Sequence, residues 1–241
     1  MRVTYIYHSC YLLEFDDFSV LFDYYKDVER EDGTLWIEDY LLNKKEDLYV
    51  MVTHSHADHF NSEIFEWKSR KDNIKYILSK EVADVHTLPD VADMVLLKIL
   101  GTYVDDNIAV RAYGSTDVGG SFCVSVGNRK IFHAGDLNNW HWNEEVSKME
   151  AAGYENSYLC ELELVAEHTD RVFMAMFPID PRLGKDYMKG AEQFVSRVEV
   201  NYLLPMHFGD NYDKANAFEE IARLQNCNYL SINNKGQSFN L

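Results

Sequence analysis

A chain of 241 residues that is 46% hydrophobic and 14% aromatic carries enough apolar material for a sizeable core, which excludes a disordered chain. Forty acidic residues against 23 basic ones give a formal charge of −17, with no lysine- or arginine-rich stripe. Binding a polyanion needs a basic footprint that releases counterions, so a nucleic-acid partner is not expected.

The opening, RVTYIYH, YLLEF and SVLFD, reads as closely spaced strands, with EFDDFS as a turn. LYVMVT (48–53) is a short apolar run of the buried-strand type and leads directly into His54. NSEIFEWK suggests a short helix capped by Asn61 or Ser62, and KYILS, MVLLKIL and IAVRAYG suggest further strands. SFCVSV and KIFHAGD form a predicted hairpin around Gly127-Asn128. From about residue 142 helices take over. NEEVSKMEAA and SYLCELELVAEH read as helical, interrupted at Gly153, and GKDYMKGAEQFVSRVEV and NAFEEIARLQN follow. VFMAMFPID, NYLLPMHFGD and YLSIN are read as strands, and YVDDN as a solvated turn. No apolar run approaches the roughly 20 residues of a membrane span. The N-terminus lacks a signal layout, and four scattered cysteines without CxxC read as reduced thiols. The expectation is a cytoplasmic protein with no membrane partner, for which a homo-oligomer is compatible.

Strands repeatedly deliver polar residues into loops, at Asp23, His54, Asp136 and His207, the way α/β architectures assemble sites. VTHSHADHF (52–60) places His54, His56, Asp58 and His59 within six positions. Residues i and i+2 of extended backbone share a side, so His54 and His56 can face one ion. Such a cluster is costly to desolvate unless something binds it, and imidazole and carboxylate suit zinc, manganese or iron. A helical HExxH, a GxSxG elbow and a glycine-rich phosphate loop are all missing.

His54-Ser55-His56-Ala57-Asp58-His59 resembles the HxHxDH motif of the metallo-β-lactamase-fold hydrolases, and the likeness extends along the chain. Asp23 in SVLFDYY matches an aspartate that braces the metal loop, Asp136 in IFHAGD matches a metal-bridging aspartate, and His207 in LLPMHFGD matches a late histidine ligand. The resemblance implies that His54 and His56 hold a first metal, that Asp58, His59 and His207 hold a second, and that Asp136 bridges. Asp58 would also orient the attacking water or take its proton. YIYHSCYLLEF is similar to the start of the branch containing ascorbate-6-phosphate lactonase, which would put His8 near the site; a structural histidine is the other reading.

The match departs from the family where it expects one more histidine. AYGSTDVGGSF (112–122) carries Ser115 there, and a hydroxyl is a poor zinc ligand. A weak or empty first site, substitution by Asp117, His133 or His141, and a single metal at Asp58, His59, Asp136 and His207 remain open, with one strong site favoured. Strand alternation puts His133 on the face opposite Asp136. His141, in the aromatic loop NNWHW, is read either as a pocket wall or as packing. Asp180 and Arg182 are read as an ion pair or a substrate contact, and His86 and His168 as surface residues.

The expected fold is α/β (α+β), a four-layer αββα metallo-β-lactamase sandwich. It would form one domain over 1–241 with two pseudo-repeated halves, roughly 1–135 and 136–241. The expected function is hydrolysis of a small substrate, anionic ones included: a lactone, a phosphate ester or phosphodiester, or a thioester. A divalent metal, zinc first and manganese or iron next, would activate water. The alternative is a catalytically weakened metal-binding sensor or assembly protein, which the missing histidine favours and six retained ligands oppose. A flavodiiron-like redox role would need a flavin domain for which the chain has no room.

Overall fold

The computed structural model describes residues 1–241, which divide into two compact units, Met1–Lys98 with Asn233–Leu241, and Ile99–Ile232. The first unit is built on a seven-stranded sheet. Its strands are β1 (Arg2–Tyr7), β2 (Cys10–Glu14), β3 (Phe18–Phe22), β4 (Asp47–Val52), β5 (Ile74–Ser79) and β6 (Met94–Leu97), with β14 (Ser238–Asn240) added beside β1. The ladders from β14 through β3 are antiparallel and those from β3 through β6 are parallel.

The second unit repeats that plan. β7 (Thr102–Val104), β8 (Ala109–Tyr113), β9 (Ser121–Val126) and β10 (Arg129–His133) pair antiparallel. β10 then continues in parallel to β11 (Arg171–Pro178), β12 (Glu199–Met206) and β13 (Asn228–Tyr229). β2 and β3 are buried at every residue, and β4 at all but its first, which explains why they read as apolar runs rather than alternating ones.

Helices pack on each sheet. α1 (Lys80–Val85) lies against β5 and β6 in the first unit. In the second unit, α2 (Lys148–His168) packs on β8, and α3 (Lys189–Arg197) on β11 and β12. α4 (Tyr212–Asn216) and α5 (Glu219–Leu224) follow, against β12 and β13 respectively. The fully buried ring of Phe194 on α3 stacks with Phe132 at 5.3 Å and Phe177 at 4.6 Å, locking that helix to its sheet. Truncating such a ring costs roughly 3–5 kcal/mol.

Several local expectations change. α2 is continuous through Gly153, because about 1 kcal/mol of glycine penalty is outweighed by burial of Tyr158, Leu162 and Val165. It begins later than NEEVSK suggests, at Ser147, whose hydroxyl and Glu150 form a reciprocal capping box. The segment after Asn61 is a tight 3-10 helix, Ser62–Ser69, with the Asn61 side chain accepting from Glu63 N. YVDDN contributes its first two residues to the short β7, and Asp105 closes the turn by accepting from Asn107 N and Ile108 N. YLSIN leaves its ladder after Tyr229, and Ile232 N is instead bound by Asn216 Oδ1.

Three thiols are inaccessible. Burial raises the Cys10 and Cys123 thiols and pushes Cys227 up to about 12, whereas Cys160 is exposed on α2. Only the thiolate reacts. At pH 8 a native-state thiol titration should therefore modify Cys160 rapidly, and the other three only after denaturant is added.

Candidate metal centre

Parallel strands expose their C-terminal ends at one edge of a sheet, and in the first unit that edge carries the histidine cluster. β3 ends at Asp23 and β4 runs through Thr53 into His54, while the HxHxDH loop turns sharply, with His59 N and Phe60 N both bonded to His56 O. Asp23, His54 and His59 are fully buried, Asp58 is half-buried and His56 exposed. The rings of His56 and His59 lie 4.7 and 4.1 Å from that of His54, centroid to centroid. Ligand atoms of Asp23, His54 and His59 fall within 4.8 Å of one another.

The hydrogen bonds decide which nitrogen each imidazole presents. Asp23 accepts from Thr53 N at 2.8 Å, from Thr53 Oγ1 at 2.7 Å and from His59 Nδ1 at 2.7 Å. A carboxylate only accepts, so His59 carries its proton on Nδ1 and its lone pair on Nε2. The single Thr53 hydroxyl proton goes to Asp23, so the 3.0 Å contact between Thr53 Oγ1 and His54 Nδ1 is donated by the histidine. His54 thus also presents a lone pair at Nε2. Glu81, just past β5, braces the loop by accepting from Ser55 N at 2.9 Å and Ser55 Oγ at 2.5 Å. His8 follows β1 with its Nε2 3.1 Å from Asp58 Oδ2. His8 and Asp23 adopt φ of 58° and 43°, left-handed conformations that are uncommon outside glycine.

The second unit uses the same device. Asp136 follows β10, Asp180 follows β11 and His207 follows β12 with φ 65°. His207 Nδ1 donates to Asp180 Oδ2 at 2.8 Å and Nε2 faces Asp136 Oδ1 at 3.5 Å. Arg182 clamps the same carboxylate, its Nε 2.8 Å from Asp180 Oδ2. Burial alone would raise Asp180, but hydrogen bonds from His207 and Arg182 outweigh it and hold the carboxyl below its usual range. Trp140 donates Nε1–H to Asp136 O at 2.8 Å and sets its ring edge-on to His207 at 5.5 Å.

The comparisons decide the family. Residues 2–152 match the model described as the β-lactamase superfamily domain. The chain belongs to this superfamily. Three solved structures share its metallo-β-lactamase fold. Igni18, a metallo hydrolase from the hyperthermophilic archaeon Ignicoccus hospitalis, is 19% identical, with a TM-score of 0.69 over 100% of this chain and 98% of its own. CmlA, a diiron β-hydroxylase from Streptomyces venezuelae, is 14% identical, with a TM-score of 0.66 over 100% of this chain and 54% of its own. The metallo-β-lactamase fold protein YhfI from Bacillus subtilis is 12% identical, with a TM-score of 0.63 over 99% of both chains. Among curated proteins none matches. The α/β metallo-β-lactamase architecture expected from the motifs is therefore the fold of this chain. No helix is long and apolar enough to cross a membrane.

The residues present fit the divalent metal that the superfamily implies. The donor set is imidazole nitrogen and carboxylate oxygen, and three buried histidines have Nδ1 engaged so that Nε2 carries the lone pair, the arrangement that metal-ligating histidines use. The 3.5 Å between His207 Nε2 and Asp136 Oδ1 is close to the edge of a tetrahedral zinc shell, about 3.4 Å for ligands near 2.1 Å.

Other candidates sit differently. Ser115, in the loop after β8, is half-buried and accepts from Asp117 N at 3.3 Å. His141 is buried, with Nδ1 accepting from Asn143 N and Nε2 donating to Asp186 O, so both ring nitrogens are engaged, one within its own loop and one tying that loop to the segment after β11. His133 is buried and accepts from Gly135 N, whereas Asp117, His86 and His168 are exposed. Asp180 is the residue that sequence reasoning undervalued. It was legible as one more polar residue at a strand end, but its partner lies on the neighbouring strand.

Proposed function

We propose that this superfamily member is a metal-dependent hydrolase of a small substrate, a lactone, a phosphate ester or phosphodiester, or a thioester. His54, His56, Asp58, His59, Asp136 and His207 would hold its metal. The observation that carries this reading is the set of three buried imidazoles fixed in the ligand tautomer by Asp23, Thr53 and Asp180. Igni18's description as a metallo hydrolase supports the same class. When bound, the metal supplies Lewis-acid polarisation and a water that ionises near neutral pH.

The chain's own residues do the rest. Asp58 takes the proton of the attacking water on a carboxylate oxygen, and His8 Nε2, 3.1 Å from Asp58 Oδ2, orients that carboxylate. Asp23 and Asp180 keep the imidazoles aimed, and Trp140 screens His207 from water on one side. Ser115, where the family pattern carries histidine, weakens one metal position. Zinc is the first choice of metal, since imidazole and carboxylate suit it, with manganese or iron next.

The test is a panel of generic lactone, phosphodiester and thioester substrates, assayed with and without chelator. Turnover of at least one class, falling roughly a hundredfold on chelation and restored by added metal, is the expected result. Purified protein that holds no metal, shows no thermal shift with zinc, manganese or iron and turns over nothing would overturn the reading in favour of a non-catalytic role.

A further inference from the structure

The loop between β8 and β9 carries Ser115 and, beside it, a threonine that grips the turn holding Asp136. Tyr113 of β8 pairs opposite Ser121 of β9, and Phe122 of β9 opposite His133 of β10. The loop 114–120 and the turn 134–139 therefore leave neighbouring strands at the same edge of the sheet. The loop is closed on itself, with Ser121 Oγ donating to Gly114 O at 3.2 Å. From it the half-buried Thr116 reaches across to the turn. Its hydroxyl donates to Asn138 O at 2.6 Å, accepts from Asn138 N at 3.0 Å and lies 3.4 Å from Asp136 O.

We propose that Thr116 is a positioning residue for the metal centre, which fixes the turn from Asp136 to Asn138 and so aims the Asp136 carboxylate. The inference rests on the reading of Asp136 as a metal ligand.

Asp136 stands outside every strand and helix, so its place depends on what fixes the turn. Gly135, at φ 54°, swings the chain off β10, and Leu137 N donates to Ala134 O at 3.0 Å. Beyond that point the main chain is held by side chains. Trp140 Nε1–H binds Asp136 O, and the one Thr116 hydroxyl serves both the N–H and the C=O of Asn138. A hydroxyl is a donor and an acceptor at once, which a methyl of the same size is not. The Asn138 side chain is fully buried and packs on Gly190 in the first turn of α3, where a Cβ would collide with Asn138 Oδ1. The turn is thus fixed through its backbone by Thr116 and through its side chain by α3. Groups that orient a metal ligand in this way typically govern affinity 10- to 100-fold.

The test starts from metal-free protein and reads zinc affinity by competition with a chromophoric chelator, together with the visible spectrum of the cobalt(II) form. Thr116→Val, which keeps the shape and loses the hydroxyl, should bind zinc about tenfold more weakly and give an altered cobalt spectrum. Thr116→Ser should restore both. In an Asp136→Ala background the valine change should cost nothing further, since the residue acts through Asp136. Should Thr116→Val fail to fold, Thr116→Cys replaces it, a thiol being a weak donor and acceptor, with the same loss expected. A folded valine or cysteine variant with wild-type zinc affinity and cobalt spectrum overturns the proposal, as does a full tenfold loss in the Asp136→Ala background. Zinc affinity that depends on Thr116 in a wild-type protein that hydrolyses no substrate leaves the positioning role and removes the hydrolase. Hydrolysis with zinc affinity indifferent to Thr116 does the reverse, and a wild type that binds neither metal removes both.

Discussion

Replacing His207 by alanine should strip the purified protein of its tightly held metal and lower turnover roughly a thousandfold, the scale of several kcal/mol of lost Lewis-acid stabilisation. His54→Ala should leave close to one metal per chain. The difference follows from what stands behind each imidazole. His207 and His59 donate Nδ1–H to the carboxylates of Asp180 and Asp23, which raises the basicity of Nε2. His54 donates to the Thr53 hydroxyl, a weaker acceptor, and reaches Asp23 only through that relay. His56 is exposed. We therefore expect one strong and one weak metal position, read by metal analysis after dialysis. Two tightly held metals in the wild type, with one lost in each variant, would show that another residue replaces the missing histidine.

Removing the Asp23 carboxylate should have the largest effect on the fold. Asp23→Ala takes the acceptor from three donors at once, Thr53 N, Thr53 Oγ1 and His59 Nδ1, in a site with no solvent exposure. Each buried donor left without a partner costs roughly 1–3 kcal/mol, so the stability loss should be about 3–5 kcal/mol. For a chain of this length that lowers the melting temperature by roughly 10 °C. Asp23→Asn separates stability from function. The amide keeps the volume and can still accept from Thr53, but its NH2 cannot accept the His59 proton. His59 then loses its tautomer, and metal affinity should fall about 10- to 100-fold with a smaller thermal shift. Wild-type metal affinity in Asp23→Asn would mean that the aspartate serves the fold alone.

The candidate ligand motif was legible because its spacing is local. His54-x-His56-x-Asp58-His59 follows a recognisable buried strand, and six positions leave no room for ambiguity about which residues cluster. Asp23, Asp136 and His207 were legible for a related reason, as polar residues standing where an apolar run ends. The helix starts and stops were less so. Gly153 looked like a break because propensity is a local signal, whereas the burial that carries α2 across it comes from the second sheet.

Composition and pattern thus determined by themselves the α/β class and the acidic character, and they named the candidate ligand residues. Tertiary structure alone decided how those ligands are aimed. Asp180 and His207 become partners because β11 and β12 run parallel in register, and Lys235 reaches the Tyr7 ring because β14 joins β1 at the far end of the chain. A sequence pattern records which residue types lie near one another along the backbone. Which nitrogen of an imidazole carries the proton depends on an acceptor supplied from elsewhere in the fold, as Asp23 is to His59.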